Sequence, residues 1–290
     1  MYDIIIVGAG PAGLTSALYG ARAGKNILVL EANSYGGQII NASTVENYPG
    51  ISSISGFDLA TNLYNQVKDL VTIKYEEVIS IEPNMVITKN NKYETKNIII
   101  ATGCSNRKLN LGEERLIGRG ISYCATCDGN FYKGMDVMVV GGGNTALEDA
   151  IYLSNIVNKV YLVHRRDSFR GEDKLLEDIK NKDNIEIIIN STIKNINGND
   201  KLESIDIVNT NNEERNINVS GLFIAIGQVP NSGFVANILD LDKYGYIKSD
   251  DTTTNIDSIY VVGDVREKEV RQLTTSCSDG AIAIAKIINK

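Results

Sequence analysis

The chain has 290 residues, and at ~150 residues per domain this length predicts two domains. Hydrophobic residues make up 43% of the chain and charged residues 22%, a composition typical of a folded protein and unlike a disordered or disulfide-scaffold chain. The formal net charge of −7 argues against a surface that binds nucleic acid or an anionic membrane. No apolar run approaches the ~18 residues of a membrane span, and the N-terminus lacks the pattern of a signal peptide. We therefore expect a cytoplasmic protein with neither nucleic acid nor a membrane as a partner.

The chain opens with a β-α-β pattern. Its predicted elements are a strand over 4–7, a helix over 14–23 and a strand over 27–30. Between the first strand and the helix, Gly8 and Gly10 permit a tight turn and close approach of the backbone to a pyrophosphate, and Gly13 permits close helix packing. The helix N-terminus supplies N–H groups to the anion, and Glu31 ends the second strand where it can accept a hydrogen bond from a ribose hydroxyl. This combination predicts a dinucleotide-binding site.

A Cys-x-x-Cys pair, Cys124 and Cys127, lies in the middle of the chain. Such a pair can be half of a zinc site, a structural disulfide or a redox-active dithiol. Zinc would need two further ligands, whereas the other two cysteines, Cys104 and Cys277, are isolated in the sequence. A structural disulfide would be unusual in a reducing cytoplasm. We therefore favour a redox pair and predict no metal, with the adjacent Asp128 as the acid that exchanges a proton with a thiol.

The glycine pattern recurs 133 positions later, with Gly141, Gly143 and Ala146 in place of the first three glycines. The position equivalent to Glu31 holds His164, the single histidine of the chain, and Arg165 and Arg166 follow it. Guanidinium groups bind a 2′-phosphate through forked, charge-assisted hydrogen bonds, whereas a carboxylate would repel it. The pattern thus predicts an NADP(H) site that Arg170 could also reach, and a solvated basic loop is the alternative.

The remaining predicted elements repeat in each half. Each half has a β-rich stretch, at 71–95 and 184–220, and then an apolar strand that ends in glycine, at 97–103 and 222–227. The chain finishes with a strand over 259–262 and a helix over 278–288. The last ~50 residues are too few for a domain of their own. They are expected to return to the first domain, so that the second domain is inserted into the first.

The chain closely resembles the low-molecular-weight bacterial thioredoxin reductases over its whole length. The resemblance is carried by the two glycine turns, by Cys124-Ala-Thr-Cys127-Asp128-Gly129, by the basic run after His164, and by Gly263-Asp264 and Arg271-Gln272. It implies an α/β fold with two Rossmann-like, three-layer ββα dinucleotide-binding domains, the second inserted into the first. FAD would bind the domain formed by 1–110 and 239–290, and NADPH would bind the domain formed by 111–238. It also implies a homodimer whose protein substrate is thioredoxin.

The resemblance further implies the residues that bind each cofactor. The implied FAD contacts are Gly8, Gly10, Pro11, Ala12, Gly13, Glu31, Gly36, Gly37, Gln38, Asn47, Val78, Ala101, Thr102, Gly103, Gly263, Asp264, Arg271, Gln272 and Leu273. The implied NADPH contacts are Gly141, Gly143, Asn144, Thr145, Ala146, Glu148, His164, Arg165, Arg166, Arg170, Ile226 and Gly227. Asp264 would bond the ribityl chain of the flavin, with a helix cap or turn role as its alternative, and Gln272 would lie near the isoalloxazine.

The expected activity is electron transfer from NADPH through FAD to the disulfide and then to thioredoxin. Cys127 would face the flavin, Cys124 would attack the thioredoxin disulfide, and Asp128 would serve as acid and base. Because the nicotinamide site and the cysteines share one domain, we expect that domain to rotate on connections near 109–116 and 230–245.

Three other reductases and one non-catalytic protein are the alternatives. A ferredoxin-fed reductase should lack the second nucleotide pattern, and a ferredoxin–NADP reductase should lack the cysteine pair. An alkyl hydroperoxide reductase flavoprotein should carry an additional N-terminal thiol domain. A non-catalytic redox sensor would have no need for the cysteine pair, Asp128 and the basic run together.

Overall fold

A computed structural model describes residues 1–42 and 44–290. The chain forms two compact units, the first built from 1–105 and 229–290 and the second from 106–228. The chain therefore passes from one unit to the other at 105/106 and again at 228/229. Both points lie somewhat before the connections expected from the sequence, near 109–116 and 230–245. The predicted domain boundaries, and the assignment of one cofactor to each domain, stay predictions.

The helices and strands follow in chain order. They are β1 (Tyr2–Val7), α1 (Pro11–Arg22), β2 (Ile27–Glu31), α2 (Gly56–Val67), β3 (Thr72–Tyr75), β4 (Val78–Glu82), β5 (Met85–Thr88), β6 (Lys92–Ile100), β7 (Cys104–Asn106), β8 (Ile121–Ser122), α3 (Ala125–Asp128), β9 (Asp136–Gly141), α4 (Asn144–Ser154), β10 (Lys159–Val163), α5 (Asp173–Lys180), β11 (Ile185–Ile188), β12 (Ser191–Asn197), β13 (Ser204–Asn209), β14 (Glu214–Asn218), β15 (Gly221–Ala225), β16 (Gln228–Pro230), β17 (Ile259–Val261) and α6 (Leu273–Ile288).

The first unit is built on a parallel sheet in the order β3-β2-β1-β6-β17. The long strand β6 serves two layers, because its first residues pair antiparallel with β5 and its last residues pair parallel with β1 and β17. The strands β4 and β5 then continue the antiparallel meander. This places the carboxyl ends of β1, β2 and β6 at one edge of the sheet, where nucleotides bind in open α/β sheets.

Alternation along β1 explains the three layers of the first unit. Ile4 and Ile6 join a core cluster that includes residues of α1 and α6. Ile5 and Val7 point to the other face and join a cluster that includes Ile81 of the meander. Both faces are apolar because both are covered, which is the pattern of a buried parallel strand.

The second unit repeats this plan. Its sheet has the order β11-β10-β9-β15-β8, with every pair parallel, and a separate antiparallel sheet has the order β12-β13-β14. In β9, Val137 and Val139 pack in a cluster with α4, whereas Met138 and Val140 pack in a cluster with the antiparallel sheet. The predicted α/β fold class, with two dinucleotide-binding folds, is confirmed.

Two helices begin earlier than the sequence pattern predicts. The first helix begins at Pro11, whose fixed φ suits a first helical position. The last helix begins at Leu273 rather than near 278, because Gln272 and Thr275 form a reciprocal capping box. Among the described residues, no helix is both long and apolar enough to cross a membrane.

Candidate redox and cofactor sites

The cysteine pair forms a disulfide at the start of the short helix α3. Cys124 is extended and precedes the helix, and Asp128 donates its backbone N–H to the Cys124 carbonyl at 3.1 Å. This single turn brings the two Cα atoms of Cys124 and Cys127 to 5.3 Å, and their sulfurs are bonded. Both cysteines are half-buried, and Thr126 between them is exposed. The pair is therefore a disulfide at the surface of the second unit.

Asp128 lies beside the disulfide in a poorly solvated position. Its Oδ2 accepts a hydrogen bond of 2.6 Å from Ser122 Oγ. Its Oδ1 is buried and has no hydrogen-bond partner in the described part of the chain. Burial raises the pKa of Asp128, and the hydrogen bond from Ser122 partly opposes that rise. A carboxyl with a raised pKa is suited to giving and taking a proton near neutral pH.

Ser122 is a site residue that the sequence analysis missed. It is 4% exposed and ends β8, two residues before Cys124. Its hydroxyl oxygen accepts the backbone N–H of Cys124 at 3.0 Å. A serine two positions before a Cys-x-x-Cys-Asp run was the available signal, although its contact with Asp128 depends on how the chain turns after β8.

The first glycine turn has the backbone that the sequence pattern predicts. Gly8 has φ +109°, and a Cβ atom at this position would lie 2.4 Å from the Ala101 carbonyl oxygen. The turn therefore excludes any side chain at Gly8 and brings the ends of β1 and β6 together. Thr102 and Gly103 follow at the same end of β6, where Asn231 donates its backbone N–H to the Gly103 carbonyl at 3.0 Å.

Glu31 is fixed at the end of β2 by backbone donors. Its Oε2 accepts the Ala9 N–H at 2.7 Å, and its Oε1 accepts the Asn33 N–H at 3.0 Å. Because a carboxylate oxygen has two lone pairs, each oxygen keeps acceptor capacity for a ribose hydroxyl. The structure thus brings Glu31 against the glycine turn, as its predicted role requires.

Asp264 is held at two of its polar atoms. Its Oδ1 accepts from Ser276 Oγ at 3.1 Å and lies 3.7 Å from Lys268 Nζ. Its backbone carbonyl accepts the Cys104 thiol at 2.9 Å and Arg271 Nε at 3.3 Å. The carboxylate is about a third exposed. These bonds fix Asp264 at the turn before α6, although it does not cap that helix.

The other predicted FAD contacts lie at several places in the first unit. Gln272 caps α6, and its side-chain oxygen accepts from Asn47 at 3.3 Å, with Leu273 as the next residue. The Gln38 side-chain amide donates to the Cys104 carbonyl. Val78 begins β4 in the meander and packs against the apolar cluster on that face.

The side chain of His164 is buried behind the second glycine turn and is not exposed to solvent. His164 is 4% exposed, its ring stacks on Phe169 at a centroid distance of 4.9 Å, and its Nε2 lies 3.1 Å from the Ser168 carbonyl. A Cβ atom at Gly142 would meet the imidazole at 2.0 Å. Burial lowers the pKa of His164, which favours the neutral ring. The direct contact of His164 with a cofactor stays a prediction.

The three arginines of the basic run are exposed, as a phosphate-binding role requires: Arg165, Arg166 and Arg170. The backbone N–H of Arg170 donates to the Gly142 carbonyl at 2.8 Å, which holds the end of the basic run against the glycine turn. Helix α4 begins at Asn144 and carries four other predicted contacts: Asn144, Thr145, Ala146 and Glu148. Ile226 and Gly227 follow the end of β15.

The described residues contain no cluster of three or more His, Cys, Asp or Glu side chains that could hold a metal ion. Cys104 is buried and Cys277 is half-buried, and both are outside the disulfide. Burial raises the pKa of Cys104 to about 12, so this thiol is a poor nucleophile.

Comparison with known proteins identifies the family. The family model for pyridine nucleotide-disulphide oxidoreductases matches residues 2–280. The chain belongs to this family. It is 41% identical to the thioredoxin reductase of Mycoplasma genitalium, over 99% of this chain and 94% of that protein. It is 38% identical to the thioredoxin reductase of Bacillus subtilis, again over 99% of this chain and 94% of that protein.

The same similarity is present in three dimensions. The crystal structure of thioredoxin reductase from Streptococcus pyogenes superposes with a TM-score of 0.94 and 41% identity, covering 100% of this chain and 97% of that one. The family and these relatives imply FAD and NADPH as cofactors.

The residues present fit these two groups. Gly10 and Gly37 face each other across the first turn, where a Cβ atom on Gly37 would lie 3.2 Å from the Gly10 Cα. This leaves bare backbone beside the N-terminus of α1, which suits a pyrophosphate. In the second unit, a Cβ atom at Gly143 would meet nothing within 4 Å, and α4 begins at the next residue. A second open helix N-terminus next to exposed arginines suits a phosphorylated nucleotide.

Proposed function

We propose that the protein is an NADPH-dependent thioredoxin-disulfide reductase, with FAD bound by the first unit and NADPH by the second. The observation that carries this proposal is the disulfide of Cys124 and Cys127 beside Asp128, in a chain that matches thioredoxin reductases over nearly its whole length. FAD and NADPH, when bound, supply the two-electron reduction of this disulfide.

The protein's own chemistry is thiol–disulfide exchange. In the reduced protein, the Cys124 thiolate attacks the disulfide of oxidised thioredoxin, so that one thioredoxin sulfur leaves and a mixed disulfide forms. Cys127 then attacks the Cys124 sulfur, which restores the disulfide of this chain and releases the second thioredoxin sulfur. Two electrons pass from the dithiol to thioredoxin, and two protons accompany them.

Asp128 would manage a proton in this exchange. A thiolate is the attacking species, so the Cys127 proton must leave as its sulfur attacks. Asp128 is adjacent to Cys127 in the chain and is the acidic group at the disulfide, and its raised pKa allows it to take that proton and pass it to a leaving thioredoxin sulfur. No nearby histidine competes for this role, because His164 is buried beneath the second glycine turn.

The remaining parts of the proposal concern assembly and motion. We propose that the protein is a cytoplasmic homodimer, as the sequence predicts. We also propose that the second unit rotates between the two half-reactions. The chain passes between the units at 105/106 and 228/229, and rotation on these two connections is the motion we propose.

Steady-state oxidation of NADPH tests the proposed activity. The purified flavoprotein should oxidise NADPH catalytically only when an oxidised thioredoxin is added. Cys124→Ser and Cys127→Ser should each abolish this turnover, whereas Cys277→Ser, a matched change outside the disulfide, should retain it. Stoichiometric oxidation of one NADPH per protein would instead indicate a redox sensor, and reduction by ferredoxin but not by NADPH would reassign the electron donor.

A further inference from the structure

Ser122 has two acceptors for its single proton. Its hydroxyl lies 2.6 Å from Asp128 Oδ2 and 3.3 Å from the Cys124 carbonyl oxygen. The same hydroxyl oxygen accepts the Cys124 N–H at 3.0 Å. A hydroxyl has one proton to donate and two lone pairs to accept with, so these three contacts cannot all be made with the same proton orientation.

The charge on Asp128 decides which contact the hydroxyl makes. When Asp128 is ionised, it can only accept, and the Ser122 proton points to Oδ2. When Asp128 carries a proton on Oδ2, that O–H donates to Ser122 Oγ, and the Ser122 proton turns to the Cys124 carbonyl. Every polar atom of Ser122 is then satisfied in both states, which a buried hydroxyl requires.

We propose that Ser122 is a positioning residue whose hydroxyl turns between Asp128 and the Cys124 carbonyl as Asp128 loses and gains a proton. The inference rests on the proposed function, because it concerns the acid of the same exchange reaction. Ser122 keeps its own proton throughout, so rotation of its hydroxyl needs no additional proton donor or acceptor.

Ser122 and the backbone together position the Asp128 carboxyl. Ser122 occupies Oδ2, and Oδ1 is buried without a partner among the residues that the structure describes. Since the Cys124 carbonyl also accepts the Asp128 N–H at 3.1 Å, Ser122 and the backbone fix the carboxyl relative to the disulfide turn.

Other titratable groups near Asp128 are few. Tyr132 ends the short 3-10 helix that follows α3, and burial together with the Asp128 charge raises its pKa to about 12, so it stays neutral in the working range. Helix α4 packs against α3 and carries Asp149, whose pKa is raised to about 7 by burial together with Glu148. Burial and Ser122 are the two influences that shift the pKa of Asp128. Asp149 is consequently the group that a pH experiment must control for.

The pH dependence of thioredoxin reduction, at saturating NADPH, tests the proposal. We assign to Asp128 the part of the pH–rate curve that Asp128→Asn removes and that Asp149→Asn leaves in place, and we call it the Asp128 limb. Ser122→Ala should move this limb to higher pH by about one unit, because a hydrogen bond to a charged group is lost. Ser154→Ala removes another buried serine hydroxyl, on α4, and should leave the limb unmoved.

Ser122→Thr keeps the hydroxyl and should restore the wild-type limb, which guards against misfolding of the alanine variant. Equal loss of rate at every pH in Ser122→Ala, or a limb that stays in place, would overturn the positioning role. A wild-type protein that does not reduce thioredoxin at all would instead contradict the proposed function. The two failures are therefore distinguishable.

Discussion

Arg266 forms a bidentate ion pair with Asp279: its Nε donates to Oδ2 and its Nη2 donates to Oδ1, both at 2.9 Å. Asp279 lies on α6 and is buried, and its Oδ2 also accepts the Gly263 N–H at 2.9 Å and Lys268 Nζ at 3.0 Å. One carboxylate thus fastens both ends of the turn that carries Asp264. The sequence analysis did not single out Asp279.

Removing this carboxylate should loosen the turn and weaken flavin binding. Asp279→Ala leaves the partly buried Arg266 without its paired carboxylate and Lys268 with only Asp264, and we expect the free energy of unfolding to fall by about 3 kcal/mol. Denaturant unfolding and the affinity of the apoprotein for FAD would measure the two effects. Asp178→Ala, at an exposed position on α5, is the control and should change neither. Unchanged FAD affinity in a destabilised Asp279→Ala protein would contradict the link to the flavin site.

The Asp279 network should also contribute to acid unfolding. Burial alone would raise the pKa of Asp279, but the bonds and charges of Arg266 and Lys268 hold it below its ordinary 3.8. A depressed folded-state pKa gives stability that is present above about pH 4 and is lost as the pH falls through the folded-state value. Stability measured from pH 5 to pH 2 should therefore fall less steeply in Asp279→Asn than in the wild type. Parallel curves would show that another group controls this range.

Asp149 should have the opposite effect on stability. Its folded-state pKa of about 7 lies above the ordinary 3.8, because burial disfavours the charge. The cost of ionising it is absent below pH 3.8, grows as the pH rises and is complete above about pH 7. Asp149→Asn should therefore raise Tm relative to the wild type by more at pH 8 than at pH 4. A Tm difference that does not grow with pH would contradict a raised pKa for Asp149.

The basic run should decide between the two nicotinamide cofactors. If Arg165 and Arg166 bind a 2′-phosphate, changing either to Ala should raise KM for NADPH by about tenfold to a hundredfold, since hydrogen bonds to a charged group contribute ~1.5–3 kcal/mol. KM for NADH should stay nearly constant. Arg215→Ala is the matched control in the same unit, because this arginine is paired with Glu186. Equal increases in KM for both cofactors would contradict recognition of the phosphate.

Gly8→Ala should prevent flavin incorporation. The new Cβ would lie 2.4 Å from the Ala101 carbonyl oxygen at φ +109°, and we expect a destabilisation of about 2–5 kcal/mol. Gly24 also has a positive φ, of +72°, but a Cβ atom there would meet nothing within 4 Å. Gly24→Ala should therefore cost only about 1 kcal/mol and keep its flavin. The ratio of flavin to protein absorbance after purification would measure both, and a full flavin content in Gly8→Ala would refute the close-approach argument.

The sequence predicted those features that repeat or that depend on local spacing. The duplicated glycine turns located two nucleotide-binding folds, because Gly8 and Gly141 each follow an apolar strand and precede a helix. The spacing of Cys124 and Cys127 was by itself enough to predict that the two residues could form a disulfide. The burial of His164 was not predictable in the same way, since it depends on Phe169 and Gly142 packing around the ring.

Residues whose role depends on a tertiary contact were missed. Ser122 meets Asp128 only because the chain makes one helical turn after β8, and Asp279 meets Gly263 only when α6 packs beside the preceding turn. The early start of α6 at Leu273 had a local signal in Gln272 and Thr275, but a glutamine is a less common first member of a capping box than serine or threonine.

The central claim is that electrons from NADPH reach thioredoxin through this disulfide. Anaerobic titration of the purified protein with NADPH, followed by flavin absorbance, tests it most directly. We predict that NADPH bleaches the flavin band, that NADH at the same concentration does not, and that oxidised thioredoxin restores the band in the wild type but not in Cys124→Ser. A band that NADPH leaves unchanged, or that thioredoxin restores equally well in Cys124→Ser, would contradict the account.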